Sequence, residues 1–124
     1  MYKIQQFSKL TGLSIPTLRY YENLGILRPA RSKNNYREFT DSDLNWMMFI
    51  LRLKQTGMPL ENICKYSFLR EQGDQTIEER IKLLDEQERL LNKEFLKLQK
   101  QLEFLKEKKE TYNDMLAKRD NMVN

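Results

Sequence analysis

The 124-residue chain contains no histidine, a single cysteine, four glycines and three prolines. With no histidine and with Cys64 alone, a thiophilic metal site cannot be assembled within one chain, and no disulfide framework exists. The commonest general base is also missing. No glycine-rich phosphate loop or plausible pair of carboxylates replaces it, so no catalytic residue is nominated and an enzyme is not expected. No apolar run approaches the ~18 residues that span a bilayer. The segment Met1–Ile4 lacks the apolar stretch of a signal peptide. These absences lead us to expect a cytoplasmic protein with no membrane partner, metal or cofactor.

What is present points to a helical protein. Charged residues make up 32 % of the chain, beside few helix breakers. The length suits one compact domain, or a small domain with an extension. The net charge of +4 is unevenly placed. The first 40 residues carry seven Lys/Arg against two Asp/Glu, whereas residues 76–124 carry 11 of each. A polyanion would therefore be steered to the N-terminal part. Ordinary solubilising charge would explain the same surplus.

Local signals divide the N-terminal part into short helices. Ile4, Phe7 and Leu10 recur at helical spacing, and Gly12 offers a left-handed stop. Ser14 is a good N-cap, Pro16 is tolerated in a first turn, and Leu18 and Tyr21 supply an apolar face before Gly25. Two short helices around a tight turn form a helix-turn-helix pattern, also met in plain helical hairpins. The second helix would hold Thr17, Arg19 and Tyr20 away from its core face. A helix fits the major groove of DNA, where arginine grips guanine or phosphate and hydroxyls suit phosphates.

Pro29 then breaks the helical pattern. Residues 28–40 read as two extended arms around Lys33-Asn34-Asn35, since asparagine tolerates the positive φ of hairpin turns. The arms carry Arg31, Lys33 and Arg37, interleaved with Tyr36 and Phe39. Such a basic hairpin reads as a wing directed at phosphates. Phe39 is expected in the core, while Tyr36 suits either the core or the surface.

The string Thr17-Leu18-Arg19-Tyr20-Tyr21-Glu22 with Gly25-Ile26-Leu27 resembles the MerR family of bacterial regulators. Asn35-Tyr36-Arg37 and Gly57-Met58-Pro59-Leu60 with Ile63 extend the likeness over about residues 2–70. The resemblance implies DNA contacts from Arg19 and Tyr20 on the recognition helix, Tyr36 and Arg37 on the wing, and Thr17 as a further contact. Arg31, Lys33 and Asn35 complete the set of candidate DNA-binding residues. It also implies a second helix pair behind the wing.

That pair is legible on its own. Thr40 with Asp43 forms a capping-box start, followed by Leu44, Met47, Met48, Ile50 and Leu51 up to Gly57. Pro59 opens the next helix, with Leu60, Ile63, Cys64 and Leu69. Trp46 and Tyr66 read as packing residues in preference to a ligand cage. Arg52 and Lys54 suit either phosphate contact or a solvated face.

From Thr76-x-x-Glu79, a second capping-box pattern, no Pro or Gly interrupts the chain. Twelve positions from Ile77 to Leu116 alternate in steps of four and three. Ten are apolar, among them Ile81, Leu84, Leu91, Phe95, Leu98, Leu102, Leu105 and Tyr112, and the exceptions are Glu88 and Lys109. This is a heptad seam about 60 Å long at 1.5 Å per residue, and it requires a partner helix. The simplest partner is a second copy. Those eight residues are the expected dimer interface, and the resemblance implies antiparallel pairing. Leu83, Leu90 and Phe104 lie just off the seam, where they would touch the partner's DNA-binding lobe or widen the dimer core.

The expected architecture is mainly α: a winged helix-turn-helix DNA-binding domain over residues 1–75, a coiled-coil dimerisation helix over 76–118 and a tail over 119–124. The resemblance implies a homodimeric transcription regulator on pseudo-palindromic, double-stranded promoter DNA, engaging RNA polymerase by distorting the promoter. The effector is not legible. The chain ends with the coiled coil, so a separate ligand domain is not expected. The Gly73–Arg80 segment resembles an aldehyde- and thiol-stress branch, some members of which place a reactive cysteine where Arg52 aligns. Cys64 lies one helix later and reads as a small packing residue, with a redox role favoured only if Lys65 lowers its pKa. A coiled-coil adaptor without DNA binding is the alternative.

Overall fold

The computed structural model describes residues 1–123, and Asn124, the end of the expected tail, lies outside them. Five α-helices and a two-stranded hairpin follow in the order α1 (Ile4–Thr11), α2 (Ile15–Asn23), β1 (Ala30–Arg31), β2 (Arg37–Glu38), α3 (Asp41–Gln55), α4 (Leu60–Gln72) and α5 (Ile77–Val123). A short 3₁₀ turn, Asp74–Thr76, precedes α5. Among the described residues, no helix is long and apolar enough to cross a membrane.

The helix boundaries follow from capping chemistry. Gly12 closes α1 with φ 73°, a left-handed conformation that side chains disfavour, and its N–H donates to Ser8 O. Ser14 Oγ accepts from the Thr17 N–H at 3.2 Å, with Pro16 in the first turn of α2. Thr40 and Asp43 cap α3 reciprocally, each side chain accepting from the other's backbone N–H. The box expected at Thr76 does not form. The Thr76 hydroxyl donates back to Leu69 O and Gly73 O, because the chain is still turning out of α4 there.

Two compact units divide the chain, Met1–Gln87 and Glu88–Asn124. The first holds the hydrophobic core. Phe7 and Phe39 stack at 4.1 Å between ring centroids and are fully buried with Leu18, Met47, Ile50 and Ile63. Burying each such side chain contributes about 1.5–3 kcal/mol, which sets the arrangement of α1 to α4. The chain start is held too, since Tyr2 forms a β-bridge with Phe39 beside the hairpin. Leu10 is half exposed and lies outside this core.

Leu83, on α5, is partly buried against the core of its own unit. Gln87 is buried and donates to Thr56 O at 2.6 Å, satisfying a carbonyl at the end of α3. The second unit is helical throughout as far as Val123, so the expected tail from residue 119 is regular helix to that point. Its apolar side chains Phe95, Leu98, Leu102 and Leu105 are all more than half exposed.

Candidate nucleic-acid interface

On α2 the core takes Leu18 and Tyr21, three residues apart and therefore on one face. Arg19 and Tyr20 lie between them in sequence and face outward, Tyr20 at 50 % exposure. Thr17 lies on the same helix, but its Oγ is 2.8 Å from Ser14 Oγ, so its hydroxyl already serves the cap.

The hairpin pairs Ala30 with Glu38 and Arg31 with Arg37, antiparallel. Its turn is closed by Ser32 N–H donating to Tyr36 O and by Asn35, which adopts φ 65°. Asparagine accepts that left-handed conformation more readily than most side chains, which is why the arms reverse there. Tyr36 is 64 % exposed, which settles its position: Phe39 faces the core and Tyr36 faces solvent.

Helix and hairpin are joined by Glu22. Its carboxylate accepts from Arg37 Nε at 3.0 Å and from Arg31 Nη2 at 3.3 Å, and its side chain is only 19 % exposed. Arg31 Nη1 also donates to Asn35 O, tying the same arginine to the turn. The two wing arginines thus spend part of their donor capacity inside the protein. Charge-assisted bonds of this kind fix geometry as well as charge.

Between α2 and the hairpin lies a groove of about 370 Å³, lined by Lys3, Ile4, Gln5, Arg19, Arg31, Asn35, Tyr36 and Arg37. The Lys3 ammonium sits 5.5 Å from the centre of the Tyr36 ring. Five of the eight candidate DNA-binding residues meet in this groove. Thr17, Tyr20 and Lys33 stand outside its lining, Lys33 exposed in the hairpin turn. Four cationic side chains and a phenol around one concavity give it the charge and hydrogen-bond donors that suit a phosphodiester backbone.

Lys3 and Glu22 were not among the expected site residues. Glu22 carried a signal, being the only acidic residue before Glu38 in a basic stretch. Lys3 carried none, because only the bridge between Tyr2 and Phe39 brings the N-terminus beside the wing.

Other ambiguous residues resolve into packing. Trp46 Nε1 donates to Ile26 O at 2.7 Å, its ring stacks near Phe49 and Tyr66, and the Arg70 guanidinium lies 4.2 Å from its centre. Lys54 donates to the Tyr21 hydroxyl and lies over that ring, so its ammonium is engaged by α2. At the chain start, the hydrogen bond to Asp41 and its negative charge raise the pKa of Tyr2.

Cys64 is partly buried against the core, and burial pushes its thiol above the ordinary value. A thiol held protonated at neutral pH is a poor nucleophile. Iodoacetamide at pH 7 is expected to alkylate folded Cys64 at least ~10-fold more slowly than the urea-unfolded chain. A folded chain that reacted faster than the unfolded one would identify an activated thiol and reinstate a redox role.

Comparison with known proteins places this geometry. Residues 2–67 match the family model described as MerR HTH family regulatory protein, and residues 44–108 match the one described as MerR, DNA binding. The HTH-type transcriptional regulator AdhR of Bacillus subtilis is 37 % identical over 90 residues, covering 71 % of this chain and 64 % of AdhR, just under two thirds of its length. An uncharacterised HTH-type regulator of Haemophilus influenzae is 34 % identical over 117 residues, covering 94 % of this chain and 87 % of that protein.

Among solved structures, a putative MerR family regulator from Listeria monocytogenes superposes with a TM-score of 0.82 at 28 % identity, covering 99 % of this chain and 94 % of the other. HiNmlR, a MerR family regulator lacking the sensor domain and solved bound to promoter DNA, superposes with a TM-score of 0.75 at 33 % identity, covering 94 % and 93 %.

Proposed function

This chain belongs to the MerR family of helix-turn-helix regulators, and on that premise we propose that it is a homodimeric, promoter-binding transcription regulator. The observation that carries the reading is the cationic groove between α2 and the hairpin, where Arg19, Arg31, Tyr36, Arg37 and Lys3 converge. The likeness to HiNmlR, solved on promoter DNA, supports the same use of this face.

In this reading α2 enters the major groove. Arg19 and Tyr20 reach base edges or flanking phosphates, and the hairpin with Lys33 and Tyr36 lies along the backbone. Thr17 acts chiefly by capping α2. Arg31 and Arg37 offer phosphate the donors that Glu22 leaves unused. Two lobes in one dimer match two half-sites about 34 Å apart on one face of the duplex. Promoter distortion, with polymerase as the beneficiary, would cost on the order of a few kcal/mol, drawn from the extra contacts it permits.

The test is titration of the promoter fragment flanking its own gene, by gel shift or anisotropy, at two salt concentrations. Saturable binding to one fragment that weakens as salt rises is expected. Equal binding to all fragments would reduce the groove to a non-specific basic surface. No binding at low salt by a dimeric protein would favour the adaptor reading.

Glu22 gives a second prediction. Glu22→Gln removes the charge that holds Arg31 and Arg37 on α2 while leaving four cations in the groove. Specific affinity is expected to fall a few-fold, about 1 kcal/mol, while non-specific binding at low salt holds or rises. An unchanged ratio of specific to non-specific binding would show that the clamp does not position the wing.

A further inference from the structure

Resting on the homodimer reading above, we infer that the partner's α5 pairs in one register, each seam residue i facing residue 193 − i, selected by apolar coverage of the seam together with crossed Glu88–Lys109 ion pairs. The seam residues are exposed within one chain, Ile77, Ile81 and Leu84 in the first unit and Phe95, Leu98 and Leu102 in the second. A stripe of this length on a largely polar helix needs an apolar cover. A second copy supplies one of the right length and spacing.

The two polar interruptions discriminate among the ways of pairing. Glu88 and Lys109 are both exposed, and neither joins an ion pair among the described residues. They lie 21 residues apart, three heptads, so both fall on the seam. Parallel, in-register pairing would set Glu88 against Glu88 and Lys109 against Lys109 inside the seam, two like-charge contacts. Antiparallel pairing separates the like charges and can bring unlike ones within reach of each other.

Among antiparallel registers, only a sum of 193 covers all twelve seam positions, from Ile77 against the partner's Leu116 to Phe95 against the partner's Leu98 beside the two-fold axis. Each layer then joins an a position to a d position, as antiparallel knobs-into-holes packing requires. In this register the partner's Lys109 faces Leu84, four residues from Glu88. That is about 6 Å along the axis, within the reach of a lysine side chain. The contact occurs twice by symmetry. A slip of one heptad to a sum of 186 carries the pair to about 16 Å apart. A slip to 200 keeps the pair close but leaves Ile77 and Ile81 uncovered.

Two experiments on the full chain test this, with sedimentation equilibrium reporting whether a dimer forms at all. In the first, Glu107→Cys is made in a Cys64→Ser background and spin-labelled, so that the native thiol takes no label. Because the labelled sites are 21 residues apart across the pair in the inferred register, their axial separation should be about 32 Å. A heptad slip would give about 21 or 42 Å, and parallel pairing no axial separation. Any of those values in a confirmed dimer overturns the register and leaves the homodimer reading intact, whereas a monomer overturns the homodimer reading itself.

The charge test is independent of label geometry. Glu88→Lys alone and Lys109→Glu alone each place like charges together and should weaken self-association roughly tenfold or more. Mixed in equal amounts, the two variants should pair with each other and recover near wild-type affinity, since each of the two crossed contacts in the heterodimer joins a lysine to a glutamate; the double variant Glu88→Lys with Lys109→Glu likewise restores both contacts, with reversed sign. Recovery of near wild-type self-association by the double variant is expected. Its failure to recover would overturn the crossed ion pair.

Discussion

Leu98→Asp is expected to yield a monomer whose first unit remains folded and whose affinity for the full promoter site falls by about 10²- to 10⁴-fold, the advantage that two linked lobes give over one. Leu98 is 59 % exposed in the chain and takes no part in the core built on Phe7, Phe39 and Met47. The substitution therefore costs the lobe nothing, and the thermal transition of that unit should persist. At the seam, the aspartate would lie among apolar side chains near the two-fold axis. Desolvating a carboxylate there costs several kcal/mol with no partner to offset it. Sedimentation velocity and anisotropy on the same samples check both halves of the prediction. A monomer that binds the whole site as tightly as wild type would show that one lobe suffices. A surviving dimer would place the partner elsewhere on the molecule.

Arg19→Ala is expected to lower specific affinity by about 1–3 kcal/mol per half-site, roughly 5- to 150-fold, without changing the fold or the oligomeric state. The side chain is exposed on α2 beside the buried Leu18, and it lines the cationic groove. Its loss thus removes the proposed DNA contact and no core packing. The form of the loss identifies the contact. If Arg19 reads a base, discrimination at one position of each half-site relaxes. If it holds phosphate, affinity falls uniformly across sequences and the salt slope drops by about one per arginine removed. Affinity unchanged within error would remove the recognition helix from the interface and leave the wing as the sole contact.

Much of this architecture was legible because its determinants are local. Gly12, Ser14 and the Thr40–Asp43 pair act within one helical turn, and each does in the structure what its spacing suggests. The heptad stripe was legible for the same reason, since it repeats along one helix. Thr76 shows the limit of such signals. Its spacing to Glu79 suits a capping box, yet its hydroxyl is taken by Leu69 O from the preceding helix. Lys54 shows it again: a lysine that suits either phosphate contact or a solvated face by sequence, it is bound to Tyr21 across 33 positions.

By itself, then, the sequence determined the helix ends, the hairpin turn at Asn35, the basic character of the N-terminal part and the seam on α5. Each of these depends on neighbours within a few residues or on a repeat along one helix. Only the tertiary structure decided that Glu22 clamps Arg31 and Arg37, that the N-terminus brings Lys3 to the wing, that Tyr36 faces outward and that Leu83 packs on its own lobe. Those outcomes depend on distances between elements, which are set by how Phe7, Phe39, Met47 and Ile63 fill one core, and a short-range pattern does not encode that packing.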